Sequence, residues 1–447
     1  MNLGALRKKY PRFFYQGYSS QLQGGDLHIS FDFEVPALSE VEGPPDISFH
    51  PTVVIKNAPR KRGLENLIFH LGMMEIPSYW KATCSPEIVV EAGFLNKEQI
   101  AWWKGLILNG MGEFFYRNKI DFTQHHFLTI TTQKHDHCNY DRSYKRHLAQ
   151  KTLIPIGGGK DGVVTLELLK KANAPLRPFL LNPKIEQKRI LGLAKVEKPI
   201  VVERSIDPKL LELNRKGYLN GHTPFSAYLA FLATLCAVLF DYKYIALSNE
   251  RSSNEGNVKY LGRMINHQYS KSFEFEKKFR AYAKTYLAKN VEYFSFLRPL
   301  YELQIARLFA KFPKYFGAFL SCNEANKTYS GRKPTGLPAE VRLRRTKAGK
   351  WCKKCAKCLF VFLALYPFAP KQTIGIFRKN LLKDKTLKPL LDELTGRKRF
   401  KPFECVGTIK ESRVALSLSL GKKKDHKILR AWNSQHFLPT RFSQLLR

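Results

Sequence analysis

The sequence predicts an α/β protein with a doubly wound parallel sheet, preceded by an N-terminal α+β region and followed by a small cysteine metal region. Three observations support this fold class. Strand-like and helix-like segments alternate from Lys151 onward, three glycines join the first of these strands to the first of these helices, and three cysteines are clustered within residues 352–358. Such alternation is typical of parallel sheets whose two faces are covered by helices.

The 447 residues are enough for two or three domains and a tail. We expect an N-terminal α+β domain (1–148), a catalytic domain (149–320), a cysteine metal-binding and C-terminal helical region (321–412) and a peripheral tail (413–447). In the first region, four histidines between residues 125 and 137 lie near Cys138. They either bind a metal or belong to a polar loop, and the loop is the preferred interpretation.

The second region carries the alternation. Strands are expected at 152–156, 177–182, 199–204 and 244–248, and helices at 162–172, 184–194, 207–217 and 223–240. Ligands of doubly wound sheets bind at the carboxyl ends of the strands. This rule predicts a nucleotide site at the glycine loop and a substrate recess in the polar loop 248–257. Residues 258–330 look helical, and 331–350 form a basic insertion.

The glycine loop lies in the segment LIPIGGGKDGVV (153–164). Glycines let the backbone approach an anion closely, and a helix start offers unpaired N–H donors and a positive dipole end. The spacing differs from G-x-x-x-x-G-K-[ST] and from G-x-G-x-x-G. It resembles the pyrophosphatase loop of enzymes that split ATP into AMP and pyrophosphate, with the usual form S-G-G-x-D-S. The resemblance implies a sheet of the adenine-nucleotide alpha-hydrolase-like type.

The same resemblance assigns roles within the loop. It implies that Gly157, Gly158, Gly159, Lys160 and Asp161 hold the ATP phosphates, and that Asp161 helps to bind Mg²⁺. The sequence has a glycine at both serine positions of this pattern, Gly157 and Gly162, and Gly162 is the departure expected to affect ATP binding. The backbone N–H is kept there, but a hydroxyl contact to phosphate is lost.

Composition narrows the possible partners of the protein and its expected location. The net charge of +38 favours anionic partners, although simple solubility explains it equally well. Nothing near Met1 has the apolar core of a signal peptide, and the longest apolar run, Ala227 to Phe240, is too short to span a bilayer. We therefore expect a cytoplasmic protein in which this run is a buried helix.

The eight cysteines are too few for a disulfide scaffold in a chain of this length. Cys352, Cys355 and Cys358 supply three thiolates for a metal, and Cys322 is the expected fourth ligand of a tetrahedral zinc site. Cys405 is the competing fourth ligand, and an iron–sulfur cluster is the alternative to zinc.

Long phrases of this chain point to one family. They include LNGMGEFFYRNKIDF (108–122), LSNERSSNEGNV (247–258), YFSFLRPLYELQIARLF (293–309), WCKKCAKCLFVFLALYPF (351–368) and KPFECVG (401–407). With the glycine loop they cover about residues 65–407 in order. In these phrases the chain resembles the UDP-N-acetylmuramoyl-L-alanyl-L-glutamate epimerases of bacterial cell-wall synthesis. The resemblance implies ATP- and magnesium-dependent inversion of the terminal L-glutamate of that dipeptide, with no stable nucleic acid partner.

The chemistry of that reaction explains the need for ATP. The α-proton of the terminal glutamate is very weakly acidic because the neighbouring carboxylate is anionic. An acyl-adenylate removes that charge, so that a base can abstract the proton, and hydrolysis then releases AMP and the epimer. The candidate bases are Glu250, Glu255, His267 and Lys271, since a base must reach Cα with a suitable pKa.

Three further residues are expected to bind substrate. Asn249 belongs to the polar loop after the fourth strand, and Arg251 and Arg298 are suited to bidentate hydrogen bonds with a carboxylate or diphosphate. Two other functions stay open: an ATP-dependent tRNA-modifying enzyme with the same loop, and a non-catalytic nucleotide-binding protein. The sequence leaves the oligomeric state undetermined.

Overall fold

The computed structural model describes residues 2–38, 46–132, 143–172, 175–326, 351–422 and 426–446. The basic insertion predicted at 331–350 lies outside these ranges, and so do His135, His137 and Cys138 of the histidine-rich segment.

Thirteen strands are found in the described residues. They are β1 (Arg12–Gln23), β2 (Asp26–Val35), β3 (Ile47–Phe49), β4 (Thr52–Ile55), β5 (Glu87–Val90), β6 (Thr129–Thr132), β7 (Thr152–Pro155), β8 (Leu176–Leu181), β9 (Ile200–Ser205), β10 (Tyr244–Leu247), β11 (Val258–Tyr260), β12 (Arg263–Ile265) and β13 (Glu292–Ser295). Eleven of them form one sheet in the order β13-β10-β7-β8-β9-β4-β2-β1-β5-β6, with β3 also paired to β2, and β11 and β12 form a separate hairpin.

The helices of the described residues lie mostly between and after these strands. They are α1 (Leu3–Lys9), α2 (Glu65–Trp80), α3 (Lys97–Gly110), α4 (Gly112–Arg117), α5 (Lys160–Lys171), α6 (Ile185–Ala194), α7 (Pro208–Arg215), α8 (Phe225–Leu239), α9 (Phe273–Tyr282), α10 (Glu302–Phe309), α11 (Asn323–Asn326), α12 (Ala356–Leu365), α13 (Pro370–Phe377), α14 (Lys388–Leu394), α15 (Ile409–Ser419) and α16 (Thr440–Ser443).

The parallel half of the sheet confirms the predicted alternation. Strands β7 to β10 and helices α5 to α8 agree with the expected segments to within two residues at each end. Strands β9, β8, β7, β10 and β13 are all parallel, and their order is 3-2-1-4-5 when they are numbered along the chain. This is one of the doubly wound arrangements.

The sheet is larger than the sequence predicts. Strand β4 pairs antiparallel with β9, with Val53 opposite Arg204, and so joins the N-terminal strands to the parallel half. Parallel pairs still dominate the eleven-stranded sheet. The structure is therefore a mixed α/β fold built on one continuous sheet.

The prediction that residues 258–330 are helical is wrong in part. This stretch contains the hairpin of β11 and β12 and the buried strand β13. A short apolar run that is buried on both faces has no alternating pattern, so periodicity does not distinguish it from a helix.

Two hydrophobic cores fill the space between helices and sheet. Helix α8, the longest apolar run, is buried as expected, and it packs against α2. In the tail, Phe442 is 1% exposed and stacks on Phe294 with ring centroids 5.3 Å apart. Within the described residues, no helix is both long and apolar enough to cross a membrane.

Candidate active site

The site lies at the carboxyl edge of β7 and β10, which are neighbours in the sheet. The glycine loop follows β7, and the polar loop 248–257 follows β10. The order of the strands reverses between these two, which is where a doubly wound sheet opens a crevice for ligands. The structure thus places the two loops side by side, as the sequence predicts.

The glycine loop has the backbone of an anion site. Gly158 has a φ of +84°, a conformation that residues with a Cβ rarely adopt. Gly159 is the N-cap of α5 and has no side chain to satisfy the first N–H groups of the helix. No atom lies within 4 Å of a Cβ built on Gly157. The loop therefore leaves the start of a twelve-residue helix open to a ligand.

Gly162 has room for the missing serine. A Cβ at this position would lie 3.7 Å from Cδ1 of Ile156, which is an ordinary contact. The position is helical and has no positive φ. The departure from the pyrophosphatase pattern therefore has no steric cause in the surrounding residues.

Three carboxylates meet in front of this loop. Oxygen atoms of Asp161, Glu250 and Glu302 lie within 4.8 Å of one another. The buried ammonium of Lys160 pairs with both Asp161 and Glu302, and Nζ of Lys357 lies 3.5 Å from Oε1 of Glu302. Carboxylate oxygens are the preferred ligands of Mg²⁺, so this acidic group fits a divalent cation that accompanies a nucleotide.

Sequence reasoning missed Glu302, although the residue lies in one of the quoted phrases. It begins α10, just after β13, and its backbone N–H donates to Oγ of Ser252 at 3.1 Å. The signal was available, because a residue after a parallel strand lies at the same edge as the glycine loop. The sequence hides this signal because β13 is a short run without alternating burial, which periodicity does not distinguish from a helix.

The two glutamates of the acidic group differ in pKa. Burial and the neighbouring Glu302 raise the pKa of Glu250 to about 7. Burial acts the same way on Glu302, but Lys160 and Lys357 outweigh it and lower the pKa of Glu302 to about 2. Glu302 is thus the fixed anion of the group, and Glu250 is the carboxylate that protonates near neutrality.

A second cluster contains Cys405, Lys271, His267, Glu113 and His222. Nζ of Lys271 lies 3.2 Å from Sγ of Cys405, and Nδ1 of His267 lies 2.5 Å from Oε2 of Glu113. The ring of His222 lies beside that of His267, tilted by 44°, with ring centroids 4.3 Å apart. Lys271 also interacts electrostatically with Glu250 and Asp161, so the second cluster adjoins the acidic group.

The second cluster holds a thiolate and an imidazolium. Burial opposes ionisation of Cys405, but the Lys271 ammonium and a hydrogen bond from His267 lower its pKa to about 5. Burial likewise opposes protonation of His267, but hydrogen bonds to Cys405 and Glu113 raise its pKa to about 9. Between these values the two side chains form an ion pair, as reactive cysteines do next to a cation.

Two predicted site residues are already engaged within the protein. All three guanidinium nitrogens of Arg298, which is fully buried, bond to protein groups: Glu276, Ser253, Ser295 and the carbonyls of Glu250 and Lys271. It holds the polar loop in place and has no open side for a substrate. The carboxylate of Glu255 pairs with Lys401 at 3.0 Å and accepts from the N–H of Ile409, at the start of α15.

Two other predicted residues lie at the loop after β10. Asn249 is 9% exposed and donates to Oγ of Ser295 at 3.2 Å. The guanidinium of Arg251 lies 4.5 Å from the ring centroid of Tyr301 and is partly exposed. Arg251 is therefore the better placed of the two predicted arginines for contact with a ligand.

The cysteine centre brings four thiols together. Sγ atoms of Cys322, Cys352, Cys355 and Cys358 lie within 4.8 Å of one another, and this group does not include Cys405. The sulfurs of Cys352 and Cys358 are 3.6 Å apart, near the spacing of about 3.8 Å that a tetrahedron with Zn–S bonds of about 2.3 Å requires. The backbone N–H of Cys358 donates to the sulfur of Cys355. The donor set fits a closed metal site.

Comparisons with known proteins agree with these features. Family models described as the MurL N-terminal domain and the MurL C-terminal domain match residues 5–296 and 318–440. Three similar proteins are named UDP-N-acetyl-alpha-D-muramoyl-L-alanyl-L-glutamate epimerase. The protein from Micromonospora sp. is 37% identical over 76% of this chain and 72% of its own length. The protein from Xanthomonas oryzae pv. oryzae is 35% identical over 76% and 71%, and that from Salinispora tropica is 33% identical over 92% and 85%.

Proposed function

The chain belongs to the MurL family of epimerases, isomerases of peptidoglycan precursor synthesis, and from this premise we propose that it uses ATP to invert the terminal L-glutamate of UDP-N-acetylmuramoyl-L-alanyl-L-glutamate. The observation that carries the ATP step is the convergence of the glycine loop with Asp161, Glu250 and Glu302 at one edge of the sheet. A phosphate cradle beside a cation-binding group suits adenylation of a carboxylate.

In the first step, a carboxylate oxygen of the substrate attacks the α-phosphate of ATP, and pyrophosphate leaves. The first N–H groups of α5, which no side chain caps, would bind phosphate oxygens, and Lys160 would do so from its ion pairs with Asp161 and Glu302. Asp161 and Glu302 would hold Mg²⁺, with Glu250 as the third oxygen donor, and the cation would neutralise phosphate charge. The resulting acyl-adenylate has lost the negative charge that protected its α-proton.

In the second step, a base removes the α-proton and an acid returns one to the opposite face. Of the four predicted bases, Glu250, His267 and Lys271 lie in the two adjoining clusters. Glu255 is a weaker candidate because its carboxylate is paired with Lys401. Water then cleaves the adenylate, giving AMP and the D-glutamyl product.

The four cysteines would hold a structural zinc ion rather than take part in the reaction. Closed sites of four thiolates leave no position for a substrate. The turn that carries three of these ligands also places Lys357, between Cys355 and Cys358, against Glu302. Binding of the metal would therefore hold one of the cations of the acidic group.

One assay tests the proposal. The purified protein is incubated with ATP, Mg²⁺ and the UDP-muramoyl dipeptide, the nucleotides are separated, and the glutamate is released for chiral analysis. We expect AMP, pyrophosphate and D-glutamate, with AMP formed only when the dipeptide is present. ADP and phosphate would contradict adenylation, and D-glutamate formed without ATP would contradict any activation step.

A further inference from the structure

We propose that the thiolate of Cys405 exchanges a proton directly with the glutamyl Cα, as one of the two acid–base groups that epimerisation requires. This inference rests on the proposed function and adds a residue that the sequence suggested only as a metal ligand. The four-cysteine centre is complete without Cys405. The thiol of Cys405 is therefore not needed as a metal ligand.

The contacts of Cys405 resemble those of cysteines that act as acid–base groups in enzymes. Its sulfur accepts from Nζ of Lys271 at 3.2 Å and from the ring of His267. Glu113 holds the other side of that ring, with Nδ1 and Oε2 2.5 Å apart. A cysteine, a histidine and an orienting carboxylate thus form a chain, the arrangement that activates a thiol in many enzymes.

The charges around the sulfur favour the thiolate. The cations that act on it are Lys271, His267 and Lys357, while the nearby anion Glu404 acts in the opposite direction. The balance is positive and agrees with the low pKa of Cys405. A thiolate that is paired with an ammonium is a base at neutral pH, and its thiol form can return a proton.

The local fold leaves Cys405 more exposed than its apolar neighbours in the chain. Phe403 and Val406 are buried, whereas Cys405 between them is partly exposed. Asn257 holds the segment, since its Nδ2 donates to the carbonyl of Pro402 at 2.7 Å and its Oδ1 accepts from the N–H of His267 at 2.8 Å. The segment is thereby tied to the loop after β10, which carries Glu250.

The approach of the segment to α12 depends on one glycine. A Cβ at Gly407 would lie 2.5 Å from Cζ of Phe360, so only glycine lets the backbone come this close. Because Lys271 interacts with both Cys405 and Asp161, the thiolate lies on the side of the site that adjoins the glycine loop.

The proton balance is as follows. The thiolate takes the proton from Cα of the acyl-adenylate and becomes a thiol, and the C–H electron pair moves into an enolate. The second acid–base group delivers a proton to the opposite face and restores the C–H bond with inverted configuration. Hydrolysis of the adenylate follows. Cys405 then releases its proton to solvent water and the second group takes one up, so both acid–base groups return to their starting protonation states.

The test separates adenylation from proton transfer. Cys405→Ser and Cys405→Ala are compared with the wild type and with Cys236→Ala, which removes a thiol that is buried on α8. Substrate-dependent exchange of labelled pyrophosphate into ATP measures adenylation. Loss of the Cα hydrogen in deuterated water, measured separately from the L and the D epimer, measures proton transfer. Metal content and the thermal midpoint report on folding.

We expect both Cys405 variants to keep pyrophosphate exchange within a few-fold and to lose epimerisation by about 100-fold or more, which is the usual range for an acid–base group. One epimer should still exchange its Cα hydrogen without inversion, because the second group still serves that face. A purely structural role would not produce this asymmetry.

Three results would overturn the inference. Cys405→Ser could epimerise at a rate near that of the wild type. Pyrophosphate exchange could fall as far as epimerisation, which would place Cys405 in adenylation or in folding. A dipeptide thioester on Cys405 could accumulate, which would make the thiolate a nucleophile. Absence of pyrophosphate exchange in the wild type would instead refute the proposed adenylation.

Discussion

The ammonium of Lys271 lies 3.2 Å from the sulfur of Cys405 and interacts with the carboxylates of Glu250 and Asp161. One side chain therefore connects the cluster that holds the thiolate with the acidic group beside the glycine loop. A change of charge in one cluster should therefore shift the pKa values of the groups in the other cluster through this lysine.

Replacing Lys271 should raise the pKa of Cys405. The ammonium lowers that pKa, to about 5 in the wild type, so Lys271→Met should move it upward. Each unit by which the pKa exceeds the pH lowers the thiolate fraction about tenfold. The rate of alkylation of Cys405 by iodoacetamide, followed by mass spectrometry from pH 4 to 9, should therefore show a later midpoint in the variant. Alkylation of Cys352 and its neighbours is read separately, and an unchanged midpoint for Cys405 would count against the contact.

Glu302→Gln should reduce both stability and activity. Glu302 is 2% exposed and neutralises the buried Lys160, and removing one partner of a buried pair costs about 3–5 kcal/mol. Chemical denaturation should show this loss, and substrate-dependent AMP formation should fall by about 100-fold or more. The matched control is Glu255→Gln, whose carboxylate contacts Lys401 and α15 instead. If Glu255→Gln loses AMP formation as completely as Glu302→Gln, the result would contradict a specific role of the acidic group in adenylation.

Gly162→Ser should keep or raise the rate of AMP formation. The new Cβ meets Ile156 at an ordinary distance, and the hydroxyl restores a phosphate contact at the start of α5. A helix-interior glycine also costs roughly 0.5–1 kcal/mol relative to alanine, so the thermal midpoint should not fall. Steady-state kinetics with ATP as the varied substrate gives the result, and a collapse of activity would show that the loop does not bind phosphate in this register. Asp161→Ala, by contrast, should abolish AMP formation.

Metal content should distinguish Cys322 from Cys405. We expect about one zinc per chain in the wild type and in Cys405→Ser, and loss of the metal in Cys322→Ser and Cys355→Ser. The latter two should also lose folding stability and soluble yield, since a structural zinc site contributes directly to folding. Elemental analysis that finds iron with a visible absorbance band, or no metal, would contradict the assignment to zinc.

The sequence predicted the elements around the glycine loop because their patterns are local. Strands β7 to β10 and helices α5 to α8 have the expected boundaries, since apolar periodicity and a glycine turn act over a few residues. The edge of the sheet at which ligands bind followed from topology alone. The phrases shared with the family covered the same part of the chain.

The contacts of the site could not be read in the same way. Lys160 meets Glu302, and Glu113 meets His267, across more than a hundred residues of sequence. Spacing could not decide whether Cys322 or Cys405 joins the three clustered cysteines, because that depends on how distant segments pack. Arg298 was expected to bind substrate because guanidinium groups recognise anions, and only the structure reveals that its donors are used within the protein.

The pairing of β4 with β9 has a consequence for dividing the chain. A protein that begins near residue 149 would lack β4, and β9 would become an edge strand of the sheet. The carbonyl of Val201, which accepts from the N–H of Lys56 at 3.0 Å, is one of the groups that would lose its partner. Exposed edges of this kind recruit strands from other molecules. The domain boundary expected at residues 148 and 149 therefore separates two strands that are hydrogen-bonded to each other. Dividing the chain there would expose an edge strand that promotes aggregation.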